Sequence, residues 1–167
     1  MTSGPQFRRP GFTLLEILIV VACIAIVALL VVPSGDNTQT RLEMAARLLV
    51  ADLEFAQLES IGNGADPCLI VFNKVDNSYE IVRHSSPSVP ITNPATSGPY
   101  ITHFGRGREE FLNGVTIDDI SVGGDDRLEF TAMGALDQGT DAVITLRCGA
   151  QSTRIRLDAS TGEPALD

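Results

Sequence analysis

Lysine is almost missing from this sequence: 167 residues contain one, Lys74. A lysine-dependent active site or a lysine that grips a nucleotide phosphate therefore has little support. Basic residues number 12 against 21 acidic ones, a net charge of −9. That balance argues against nucleic acid as a partner, because binding to a phosphate backbone draws its affinity from clustered Lys and Arg. Histidine is limited to His84 and His103, and cysteine to Cys23, Cys68 and Cys148. No CxxC pair or Cys/His cluster occurs, so a zinc site is not expected. No metal, cofactor or small-molecule substrate is expected.

What is present is unevenly placed. Arg8 and Arg9 lie near the start, and no acidic residue precedes Glu16. Residues 12–32, "FTLLEILIVVACIAIVALLVV", then run apolar with that single charge. As a helix the run would rise roughly 31 Å, about one hydrocarbon core. Apolar residues on every face suit lipid better than a soluble core. Basic residues upstream place the N-terminal side in the cytoplasm and the rest of the chain across the membrane. A secretory signal peptide fits less well, since its apolar region is shorter and ends at a small-residue cleavage site. Here "PSGDNTQT" follows instead. An uncleaved anchor is the other plain alternative. Neither explains Glu16, because a charge inside a membrane helix costs about 2.5–3.5 kcal/mol at mid-bilayer and is usually paired.

The stretch "GFTLLEILIV" (residues 11–20) resembles the processing motif of type IV pilins and type II secretion pseudopilins. The resemblance implies that a prepilin peptidase cuts between Gly11 and Phe12 and methylates the new terminus of Phe12. It places the family's glutamate at Glu16 and its frequent proline at Pro33, where a helix kink is expected. Glu16 would then pair with the terminal amine of a neighbouring subunit. An unpaired buried carboxylate is unfavourable, so such a pair can set register among apolar helices.

Pro33, Gly35 and the polar residues after them break the helix. Periodicity returns in "RLEMAARLLVADLEFAQLESI", where Leu42, Ala45, Ala46, Leu49, Leu53 and Ala56 share one face. Arg41, Glu43, Asp52 and Glu59 are read as lying off that face, and "GNG" at 62–64 as the stop. The remainder reads as short strands at 68–72, 78–82, 115–122, 127–132, 142–148 and 153–158. Residues 84–108, with four prolines, read as a long irregular loop. The expected fold is α+β: a long N-terminal helix, partly transmembrane, packed on a small antiparallel β domain of two sheets. The expected divisions are a leader at 1–11, a membrane helix at 12–32, its periplasmic continuation at 33–63 and a β-rich domain at 64–167.

"RLEFTAMGALDQGTDAVITL" and "TRIRLDASTGEP" resemble the C-terminal half of the GspH/FimT family of minor pseudopilins, through Phe130, Gly134, Val143 to Leu146 and Thr161-Gly162. "MAARLLVADLEFAQLESI" resembles that family's helix after the membrane span. Simple hairpin chemistry also accounts for the turn residues. Cys68 and Cys148 either pair, if the domain faces an oxidising compartment, or stay separate buried thiols.

Other constellations are weak. His84, Ser85 and an aspartate could be drawn as a hydrolase triad, but no G-x-S-x-G elbow occurs. Asp118, Asp119, Asp125 and Asp126 lack calcium-loop spacing. "GRGR" at 105–108 is short and is followed by Glu109 and Glu110. The expectation is a non-enzymatic minor pseudopilin of the inner membrane. Its partners would be the prepilin peptidase, other pseudopilins and the membrane itself. A type IV minor pilin, a major pseudopilin, and a membrane-tethered hydrolase or binding domain are the alternatives.

Overall fold

The computed structural model describes residues 13–31 and 37–167. The chain divides into two units, Met1–Asp36 and Asn37–Asp167. Gly11, Phe12 and Pro33, on which cleavage, methylation and a helix kink were expected, lie outside the described residues.

In the first unit one helix, α1, covers Leu14–Val31. Thr13 caps it. The Glu16 amide donates to Thr13 Oγ1 at 3.3 Å and to the Thr13 carbonyl at 3.0 Å, which satisfies a donor that the first turn would leave unpaired. Glu16 itself lies in the first turn, where the helix dipole favours an anion. No helix among the described residues is long and apolar enough to cross a membrane. The 18 residues of α1 rise roughly 27 Å, short of a hydrocarbon core of about 30 Å. Phe12 and Val32, the ends of the apolar run, lie outside the described residues.

The second unit is α+β. Helix α2, Thr38–Gly62, packs on two antiparallel sheets. The first sheet holds β1 (Cys68–Asn73), β2 (Ser78–Arg83), β3 (Ser86–Pro90), β4 (Ile101–His103) and β6 (Arg127–Glu129), ordered β3-β2-β1-β6 with β4 also paired to β2. The second holds β5 (Val115–Ser121), β7 (Ala142–Cys148), β8 (Gln151–Leu157) and β9 (Pro164–Leu166) in the order β5-β7-β8-β9. A short 3-10 helix covers Gly107–Leu112. β7 alternates cleanly, with Ala142, Ile144, Leu146 and Cys148 buried, the pattern of a sheet with one wet face.

The apolar stripe of α2 is buried as its spacing predicts: Leu42, Ala45, Ala46, Leu49, Leu53 and Ala56 all lie in the core. The alanines let the helix approach the strands closely, while Leu49 and Leu53 fill the space among Ile70, Ile81, Ile144 and Ile155. Each such leucine contributes about 2–5 kcal/mol by the cost of truncation to alanine.

Asp52 departs from expectation. It was read as lying off the stripe, but it is buried on it. Tyr79 donates from its hydroxyl to Asp52 Oδ2 at 2.6 Å, Tyr100 to Oδ1 at 2.9 Å and Thr102 to Oδ2 at 3.4 Å. Position 52 follows Leu49 by three residues, so the helix turns it inward whatever its polarity. Three hydroxyls then replace the water it loses. They tie the helix to β2, to β4 and to the segment leading into it. Tyr100 also stacks on Phe55, with ring centroids 5.2 Å apart.

Smaller polar links complete the packing. Ser60 donates to the Ala56 carbonyl and accepts from the Cys68 amide, joining the end of α2 to the start of β1. Asn77, in the β1–β2 turn at φ 53°, donates to the Val115 carbonyl at 2.7 Å and accepts from the Ile117 amide at 2.8 Å. Its amide group serves as a one-residue strand along β5 and joins the two sheets. Gln57 donates to the carbonyls of Gly134 and Thr161 at 2.8 and 2.7 Å. Two turns distant in sequence thus meet on one side chain of α2.

Three further expectations change. Residues 84–108 are not one irregular loop. They contain β3, β4 and a bridge between Thr92 and Pro99, held by bonds such as Tyr100 N–H to the Ile91 carbonyl at 2.8 Å. Pro87 and Pro90 are accommodated because β3 is an edge strand, where missing donors are tolerated. The strand expected at 127–132 is β6, which ends at Glu129, and Phe130 forms only an isolated bridge with Leu136. β9, too short and proline-led to register as a strand, closes the second sheet. Of the two readings left open for Cys68 and Cys148, the structure shows the second: both are free, buried thiols, one on each sheet.

Gly162 sits at φ +71°, and a Cβ there would collide with the Gly134 carbonyl. Gly162→Ala is therefore expected to destabilise the second unit by about 2–4 kcal/mol, read as a lower denaturant midpoint. Asp52 gives a pH prediction. Burial raises its carboxyl above the ordinary value, more than the three hydroxyl donors lower it. The native state then holds that proton more tightly than the unfolded chain. The associated stability is complete below the unfolded value, about 3.9, and is lost as pH rises through the raised native value. Asp52→Asn removes this titration. Denaturant midpoints should show the natural protein losing stability relative to Asp52→Asn as pH rises from about 4 to 7.

Candidate assembly site

The described side chains of the first unit, residues 13–26, are all exposed, including six Ile and Val residues and three leucines. Nothing in a helix of this composition distinguishes a dry face from a wet one. Such a surface is satisfied by lipid or by other apolar helices. Glu16 is the single charge on it. The sequence carried a further signal here. "TLLE" at 13–16 has the S/T-x-x-E spacing of a capping box, and the Thr13 half of that box is formed. Glu16 thus stands at the mouth of the helix, a turn from its N-terminus, with its carboxylate exposed.

The competing sites do not assemble. His84 Nδ1 lies 2.6 Å from Glu129 Oε1, while the Ser85 hydroxyl donates to Asp66 Oδ2 at 2.8 Å and the Ser85 amide to Asp66 Oδ1 at 2.9 Å. Those donations hold the Asp66 carboxyl below its ordinary value, the backbone one most strongly. Ser85 is therefore committed to Asp66, and no serine–histidine pair forms. His103 lies on β4, separate from both. Its Nδ1 is buried with no partner among the described residues.

The aspartates serve as local clamps. Asp118 takes the Arg147 guanidinium at 2.7 Å, Asp119 lies 3.6 Å from Lys74, and Asp125 accepts from the Arg127 amide at 3.3 Å. Among the described residues no group of three or more His, Cys, Asp or Glu could hold a metal ion. Arg106 and Arg108 are exposed, and Gly105 and Gly107 between and before them take left-handed φ values of 77° and 62°. They shape a turn into the 3-10 helix. Burial pushes the Cys68 thiol above its ordinary value, which makes it a poor nucleophile.

What the globular unit exposes is a second helix face. On α2, opposite the buried stripe, Met44, Arg47, Ala51, Glu54, Leu58 and Ile61 are all exposed. Their alternating spacing of three and four residues forms a continuous seam. Sequence reasoning concentrated on the inner stripe and did not single this seam out, nor did it find Gln57 or Asn77. Their roles depend on turns brought close only by folding.

The family model described as the prokaryotic N-terminal methylation motif matches residues 7–32. No curated protein matches the chain. Two solved structures of the type IV minor pilin FimU of Pseudomonas aeruginosa PAO1, in different crystal forms, are similar to it. One is 15% identical with a TM-score of 0.53, covering 80% of this chain and 92% of that one. The other is 16% identical with a TM-score of 0.50, covering 75% and 92%. At such identities the likeness is one of fold. The chain therefore joins a prokaryotic N-terminal methylation motif to a type IV pilin-like fold.

Proposed function

We propose that this chain is a structural subunit of a pilin-type filament, matured by cleavage between Gly11 and Phe12 and methylation of Phe12. It acts as the substrate of a processing enzyme and carries no catalytic role of its own. The observation that carries the reading is a lone carboxylate, Glu16, in the first turn of an otherwise apolar helix, inside the matched motif at 7–32. Cleavage creates an ammonium at Phe12, where the positive end of the helix dipole makes a cation unfavourable. A carboxylate from a neighbouring subunit neutralises it. Within an apolar bundle that pair tolerates one register and penalises the others.

Before assembly the apolar run anchors the chain in the inner membrane as a single span. Arg8 and Arg9 keep the N-terminus cytoplasmic, and the sheets lie in the periplasm. Cleavage removes those two arginines and leaves 10 basic against 21 acidic residues. The mature charge of −11, before the new amine is counted, makes nucleic acid a poor partner. The specific role we favour is that of a GspH-type minor pseudopilin of type II secretion. The C-terminal pattern of Phe130, Gly134 and Thr161-Gly162 supports it, and other pseudopilins are then its partners. A type IV minor pilin is the second reading, favoured by the likeness to FimU.

Mass spectrometry of the chain from cells with active prepilin peptidase should find residues 1–11 gone and one methyl group on Phe12. An intact leader would instead favour a membrane-tethered domain. Glu16→Val should insert in the membrane at least as well as the natural chain. Its filament-borne fraction should fall at least about tenfold, since the neighbour's amine is left unpaired.

A further inference from the structure

We infer that a small cavity beside β4 receives the carboxylate of an aspartate or glutamate side chain presented by a different protein, gripped by Arg106 and Arg108. The cavity holds about 260 Å³ and lies where β4, the turn at 93–98 and the turn into the 3-10 helix meet. Asn93, Thr96, His103, Arg106 and Arg108 line it, together with one acid, Glu109. Gly105 and Gly107 take left-handed φ values, and the turn they form brings two arginines, two positions apart, to one cavity. Neither arginine makes an ion pair or side-chain hydrogen bond among the described residues. Arg83, Arg147 and Arg156, by contrast, each hold a carboxylate. The ring of His103 carries the one buried side-chain polar atom without a partner among the described residues. The polar groups gathered here are thus unmet from within the chain, and an outside acceptor completes them.

The chemistry selects a carboxylate. A guanidinium takes one through two parallel N–H to oxygen bonds, and two guanidiniums can share its oxygens. The volume is below that of ordinary small-molecule sites, roughly 300–1,000 Å³, and suits a single side chain. A nucleic-acid strand needs a run of cations along its phosphates. Here Glu109 and Glu110 follow the arginines directly, on a chain of net charge −9. Two unpaired cations on so acidic a chain steer an acidic surface to this one place, while the remaining surface turns it away. A second copy of the chain is a poor source of the carboxylate, because two charges of −9 repel. The inference stands apart from the filament reading, since it requires only the folded second unit.

The test uses the full chain in micelles of an uncharged detergent, with the backbone amides of residues 101–108 followed by NMR. The probe is the peptide acetyl-Gly-Glu-Gly-Glu-Gly-amide, and its control carries Gln for Glu. The Glu peptide should shift the amides of His103, Gly105 and Gly107 saturably, and bind at least about fivefold more tightly than the Gln peptide. Raising NaCl from about 0.05 to 0.3 M should weaken it. Arg106→Gln with Arg108→Gln should lower the affinity at least about fivefold, while Arg154→Gln, at an exposed position on β8, should leave it unchanged. If the double variant loses its fold, Arg106→Lys with Arg108→Lys takes its place: charge is kept, the planar fork is lost, and affinity should fall at least about threefold. No saturable shift, equal binding of the Gln peptide, or the same loss in Arg154→Gln overturns the inference. Tighter binding of inorganic phosphate or of an oligothymidylate through the same arginines overturns it in favour of a phosphate site. Shifts of these amides with protein concentration alone, abolished by the double substitution, assign the cavity to a second copy and overturn the different-protein occupant.

Discussion

Burial of one stripe of α2 against two small sheets is the constraint on which the second unit is built. Neither sheet is large: the first has five strands and the second four, several of three residues. Sheets of this size gain stability by covering one face. Leu49, Leu53 and the alanines around them cover both at once. Asp52 sits inside that stripe, and its cost of burial is offset in part by hydroxyls from Tyr79, Tyr100 and Thr102. The same carboxylate that weakens the apolar contact fixes where β2 and β4 must lie beneath the helix. A leucine in its place would fit many alignments. An aspartate with three donors fits one, the kind of specificity that buried polar groups can confer.

The two units solve opposite problems. The globular unit hides most of its apolar residues and pairs its buried side-chain polar atoms, with His103 Nδ1 the exception among the described residues. The helix of the first unit exposes every described side chain from 13 to 26. Such a surface is stable only with lipid or with like helices around it. The proposed role in assembly rests on this contrast. Polar residues weighed in the sequence for a hydrolase triad or a calcium loop are engaged in local contacts: Ser85 with Asp66, Asp118 with Arg147, Asp125 with the Arg127 amide.

Much of the fold was legible where a period was long enough to read. The inner stripe of α2 spans four turns, and every one of its six expected members is buried. β7 alternates over seven residues and lies where its pattern placed it. The segment at 84–108 was opaque for a physical reason. Its strands are three to five residues long and proline-rich, and their pairing is set by β2 rather than by their own composition. Asp52 was misplaced because polarity was allowed to outweigh phase. On a helix whose neighbours at 49 and 53 point inward, position 52 points inward as well.

The sequence by itself determined the apolar run with its single carboxylate, the match to an N-terminal methylation motif at residues 7–32, and the division into helix followed by strands. These are local properties, carried by composition and spacing along a few turns. Only the tertiary structure decided that Asp52 is a buried anchor, that Gln57 clasps the turns at Gly134 and Thr161, and that Asn77 joins the two sheets. It also decided that Cys68 and Cys148 stay apart. Each of these joins residues between 27 and 104 positions apart, or keeps them apart, and no local pattern records which distant surfaces the collapse of a shared core will bring into contact.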